Sequence, residues 1–142
     1  MGSLVETIKD DARRRAVVDD CVMLLESEVA SKGGFSGVAI KGGYKTVKKM
    51  RPGMIPMAMN HLLEDFAKQI DPIWADCGGD KAKFTGRKSD IANALLSITD
   101  ERGRQSDQKL LVKVYSKLRP TAMQHIGDAV PRLADLIAKH AS

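Results

Sequence analysis

Aromatic side chains are scarce: the chain has one Trp, two Tyr and three Phe, 4% of 142 residues. A core here has to be built from Leu, Ile, Val, Ala and Met, and the rings are too few to stack successive nucleobases. Cysteine is limited to Cys21 and Cys77, far apart and without a Cys-x-x-Cys spacing, which points to a reducing compartment, the cytoplasm. No run approaches 18 consecutive apolar residues, so no transmembrane segment is expected, and MGSLVETIKDDARRR carries charge where a signal peptide needs an apolar centre. Catalytic signatures are missing as well. There is no Gly-x-Ser-x-Gly elbow, no His-Glu-x-x-His and no Gly-x-x-x-x-Gly-Lys-Ser/Thr, while His61, His125 and His140 fall in separate segments without a second histidine at ligand spacing. The reading therefore assigns no catalytic residue, no metal and no cofactor, and it favours a non-enzymatic protein.

One sign of charge is missing from a whole stretch. Between Glu28 and Glu64 there is no Asp or Glu, and Lys32, Lys41, Lys45, Lys48, Lys49 and Arg51 lie inside that gap in a chain of net charge +5. Within it, GGFSGVAIKGGYKTVKKMR reads as a helix capped by Ser36 and ended by Pro52-Gly53. Three-and-four spacing puts Ile40, Gly43, Tyr44, Val47 and Met50 on one face and gathers Lys41, Lys45, Lys48 and Lys49 beside them. Gly37, Gly42 and Gly43 each weaken a helix by about 1 kcal/mol relative to Ala, so their expected role is to let another backbone approach closely.

At 43% hydrophobic and 29% charged residues, 142 residues suit one soluble globular domain, residues 1–142, with a core of its own. Ser3 to Ser31 reads as one helix or two separated near Asp10, with Val17, Val18, Cys21, Leu24, Leu25 and Val29 inward and ion pairs Asp10–Arg14 and Asp11–Arg15 outward. A third helix starts near Ile55 or Pro56, buries Met59, Leu62, Leu63, Phe66 and Ile70, and ends at Asp71. Asp71-Pro72 then caps a short helix holding Trp74. Gly78 to Lys88 is expected to be the longest loop, with Phe84 tucked back. Ser89 caps a helix ending near Arg102-Gly103, and Ser106-Asp107 opens another with Leu110, Leu111, Val114 and Leu118 inward. The outer face of that helix carries Lys109, Lys113, Lys117 and Arg119, until Pro120 breaks it. A last helix starts at Asp128 and buries Val130, Leu133, Leu136 and Ile137. No alternating strand pattern occurs, so the expected fold is all-α, a single compact bundle of about six main helices.

The runs GVAIKGGYKTVKKMRPG, LLEDFAKQIDPIW and KLRPTAMQHIGDAVPRLADLIAKHA resemble a family of small bacterial all-helical proteins of uncharacterised function. The resemblance implies a stand-alone cytoplasmic helical protein and brings no activity, cofactor or site residue with it. The residues themselves suggest a small binding or interaction protein. Its first candidate surface is Lys41, Lys45, Lys48, Lys49 and Arg51, suited to an anionic partner such as nucleic acid, an acidic protein or a membrane surface. The alternatives are self-association into a homo-oligomer through small-residue faces, and a hydrophobic-ligand site in a methionine-rich interior around Met50, Met54, Met57 and Met59.

Overall fold

Two polar side chains start the chain's first two helices. The Ser3 hydroxyl accepts from the Glu6 amide and begins α1 (Leu4–Thr7), and the Asp10 carboxylate accepts from the Arg13 amide at 2.9 Å and begins α2 (Asp11–Ser31). The computed structural model describes residues 3–105 and 109–141, and within them all side chains except those of Phe35, Ser36, Leu110, Leu111 and Val114. Beyond α2 follow α3 (Gly34–Met50), α4 (Met54–Asp76), α5 (Lys81–Thr85), α6 (Lys88–Gln105) and α7 (Lys109–Ala141). The fold is all-α, and no strand occurs among the described residues.

Several boundaries differ from the sequence reading, each for a local reason. The cap of α3 is Gly33 in extended conformation, so the helix starts two residues before Ser36, which lies inside it. The expected ion pairs of Arg14 and Arg15 do not form. Asp10 is occupied as a cap, and Arg14 reaches across to α4, donating to Asn60 Oδ1 and to the Asn60 carbonyl, both at 2.8 Å. Asp71-Pro72 does not restart a helix, because α4 runs through Pro72 to Asp76. Asp71 caps α1 instead: its two carboxylate oxygens accept from the Leu4 and Val5 amides at 2.8 and 2.9 Å. The expected loop after Gly79 contains α5, started by Asp80, whose carboxylate accepts from the Ala82 and Lys83 amides. Ser89 and Gly103 fall inside α6. Pro120 does not break α7, and the helix expected from Asp128 is the continuation of the same element. The expected start at Ser106-Asp107 lies outside the described residues, and so do the side chains of Leu110, Leu111 and Val114, expected inward. Gly53, at φ 83°, makes the left-handed turn that lets α4 follow α3 after three residues.

The dry core gathers at one end of the bundle. Trp74 and Phe84 meet edge to face with ring centroids 5.3 Å apart, and Val17, Phe84, Ile91, Val130 and Ile137 are fully buried around them. These residues come from the first half of α2, the second half of α4, α5, the first half of α6 and the last third of α7. The carboxylate of Asp20 locks the end of α7 to α2, accepting from Lys139 at 2.8 Å and meeting the His140 ring at 2.6 Å. The opposite halves of α2, α4, α6 and α7 belong to the other end, where α3 packs against α2, α4 and α7.

Candidate functional site

At that second end the helices do not close on one another. They surround a cavity of about 580 Å³, open to solvent and walled almost wholly by apolar atoms. α2 contributes Leu25 and Val29, and α3 contributes Ile40, Gly43, Tyr44 and Val47. α4 adds Ile55, Ala58 and Leu62, and α7 adds Val112, Tyr115 and Leu118. The stripes that the helical period places inward thus face an opening, because Gly43, Ala58 and Gly103 on the wall are too small to fill it. The expected methionine lining is absent: no methionine lines the cavity, Met54 is buried elsewhere, and Met50 and Met57 are 67% and 51% exposed. Met50 therefore leaves the inner face on which the helical period had placed it.

Several polar groups at the cavity are held in fixed pairs, whereas His61 of α4, exposed on its wall, has no hydrogen-bond partner among the described residues. Tyr115 donates its phenol to Asp100 and lies 2.7 Å from the Thr99 hydroxyl, and Arg119 grips the same carboxylate with two bonds of 2.9 and 3.0 Å. The guanidinium of Arg119, then the Tyr115 hydroxyl, hold the Asp100 carboxyl below its ordinary value, while burial and then the Asp100 carboxylate raise the Tyr115 phenol. Arg119 is thereby removed from the outer basic ridge on which spacing had put it. Arg102, on the rim, bonds Asp65 of α4 at 2.6 Å. These pairs brace the cavity wall, and none of them presents a free nucleophile or base.

Lys41, Lys45, Lys48, Lys49 and Arg51 are all exposed along α3 and at its end. Lys48 is engaged, bonding Glu26 of α2 at 3.2 Å with its ammonium 5.9 Å from the centre of the Tyr44 ring. Among the described residues no carboxylate lies within 4 Å of Lys41, Lys45, Lys49 or Arg51. A second, smaller cavity of about 370 Å³ lies between α3 and α7, lined by Val38, Ala39, Gly42, Thr46, Lys113 and Lys117 among others.

A third cluster ties α2 to α7. Lys32 bonds Glu28 at 3.2 Å and approaches Asp128 at 3.6 Å, and Arg132 reaches Glu28 at 3.5 Å. His125 lies in this cluster with both ring nitrogens buried and without a partner, and burial, then the Lys32 charge, push its pKa down. Cys21 is inert by the same physics, since burial pushes its thiol up to about 12.

The sequence reading named the lysines of α3 and, as an alternative, an apolar-ligand site that it placed among methionines; it did not name the polar brace. Thr99 and Asp100 come from α6 and Tyr115 from α7, and their only sequence signal is that two hydroxyls and an acid interrupt otherwise apolar stripes.

Fold and site together define an all-helical protein with a dry core at one end and an open apolar cavity at the other. The chain belongs to DUF6918, a family of unknown function, whose model matches residues 4–141. No curated protein and no solved structure matches it. No helix among the described residues is long and apolar enough to cross a membrane.

Proposed function

We propose that the protein is a non-enzymatic binder of an apolar small molecule held in the cavity between α2, α3, α4, α6 and α7. The observation that carries this reading is the cavity itself: about 580 Å³ of space with almost wholly apolar walls, within the roughly 300–1,000 Å³ typical of small-molecule sites. Thr99, Tyr115, Arg102 and Gln105 on its wall are each held in hydrogen bonds, and the wall is otherwise apolar apart from His61, which supports binding over catalysis. The two free thiols, Cys77 buried and Cys21 held protonated, support a cytoplasmic setting.

Gly103→Leu tests the reading. Gly103 lines the cavity, and a Cβ there would sit 4.0 Å from the Tyr115 ring, an ordinary contact, so the longer side chain occupies the cavity without a backbone clash. The replacement also favours α6 by roughly 0.5–1 kcal/mol, which keeps the variant folded. The wild type is expected to take up the neutral dye Nile red with a rise in fluorescence, and the variant to bind it about tenfold more weakly. No uptake by the wild type, or equal uptake by both, overturns the proposal. So does a stable dimer that covers the cavity.

A second reading is favoured by Lys41, Lys45, Lys49 and Arg51, exposed and without an ion-pair partner among the described residues: a basic surface for nucleic acid or for an acidic protein or membrane surface. Salt-sensitive retention on heparin that is lost in Lys41→Gln/Lys45→Gln/Lys49→Gln supports it. Early elution of both proteins discards it.

A further inference from the structure

The chemistry beside the apolar cavity identifies what enters it. Gly43 and Leu118 line both that cavity and the smaller one between α3 and α7, so the two spaces adjoin at these residues. On the α7 side the smaller cavity carries Lys113 and Lys117, both exposed, one helical turn apart, and with no carboxylate within 4 Å among the described residues. On the α3 side Val38, Gly42, Lys45 and Lys49 follow the spacing of a single helix face, which adds two more cations at its edge.

The α3 side of this second cavity is lined by the exposed Gly42. Among the described residues a Cβ at Gly42 would meet no atom within 4 Å, and glycine is the poorest helix former after proline. Apolar space for a chain and an adjoining hollow lined by lysines and a glycine are the complement of one kind of molecule.

Resting on the apolar-ligand reading above, we infer that the ligand is a long-chain anionic amphiphile. Its hydrocarbon chain occupies the 580 Å³ cavity, and its carboxylate or phosphate head lies against Lys113 and Lys117. The lysine stems cover the start of the chain while their ammonium groups meet the head.

The test compares cis-parinaric acid with its methyl ester, the same chain with and without the charge. Binding is followed by probe fluorescence in the wild type, Lys113→Gln/Lys117→Gln, Gly42→Leu, and a control that removes two charges elsewhere, Lys41→Gln/Lys83→Gln. Gly42→Leu fills the head cavity and strengthens α3, so it stays folded. The acid is expected to bind the wild type about tenfold tighter than the ester, and that preference is expected to vanish in both head-site variants and to persist in the control. Unlabelled palmitate should displace the acid, whereas inorganic phosphate should not. Displacement by phosphate as effective as by palmitate overturns the inference and assigns the lysines to a free anion. Acid and ester bound alike by every protein overturns the head site while the apolar cavity stands. Neither probe bound by the wild type overturns both.

Discussion

Asp71 has the sequence context of a helix cap, an acid before a proline, and it is a cap, but for a helix 66 residues away in sequence. Its carboxylate takes the two free amides of Leu4 and Val5, which lack intrahelical partners because α1 begins there. Asp71→Ala is expected to cost about 2 kcal/mol of stability in urea denaturation and to speed amide exchange at Leu4 and Val5, with Asp71→Asn intermediate. His125 sets a pH dependence. Its folded pKa lies below the free value of 6.5, so the unfolded chain binds the extra proton first. Stability contributed by the neutral ring is complete above about pH 6.5 and declines as pH falls through that value toward the depressed one. The groups around the ring are Lys32 and Glu28 from α2 and Asp128 and Arg132 from α7. Urea midpoints at about pH 7.5 and about pH 5.5 are expected to separate in the wild type and to converge in His125→Gln. Asp20 and Asp100, held low by their cationic partners, act in a different window, losing their contribution only below about pH 4.

At the scale of elements, α3 holds two glycines with opposite reasons for being there. A Cβ at Gly37 would lie 2.7 Å from the Lys32 carbonyl carbon and 2.9 Å from its oxygen, so the turn from α2 into α3 closes only over glycine. Gly42 has open space among the described residues. Gly37→Ala is expected to destabilise by about 1–3 kcal/mol and Gly42→Ala to stabilise by about 1 kcal/mol, read as thermal midpoints moving in opposite directions. The sequence reading gave both glycines one explanation, close backbone approach, because spacing along a helix does not say what faces it. The helices through proline teach a similar lesson. Pro72 and Pro131 are exposed, and each is flanked by deeply buried neighbours, Ile70 and Trp74 in α4 and Val130 and Ala134 in α7. Anchors on both sides hold the axis while the ring faces solvent, so local propensity alone misplaces these boundaries.

Across the whole molecule packing is polarised. The only Trp, Phe84 and the fully buried aliphatics lie at one end, and the scarce aromatic volume leaves little to fill the other. A ligand that binds the open end only in the folded state must raise global stability by mass action, about 2.7 kcal/mol at a hundredfold excess over its dissociation constant. Palmitate is expected to raise the thermal midpoint of the wild type in a concentration-dependent way and to leave Gly103→Leu nearly unchanged.

The all-α class, most helices and their apolar stripes, the lysines of α3 and the burial of Trp74 and Phe84 were legible along the chain, because a helix's period and the sign of its charges are local properties. The unity of α7 across Pro120, the transfer of Asp71 to α1, the capture of Lys48 by Glu26 and of Arg119 by Asp100, and the place and lining of the cavity were not. Each depends on which distant helix arrives beside a residue and whether the side chains there meet, and that is settled only when the helices pack.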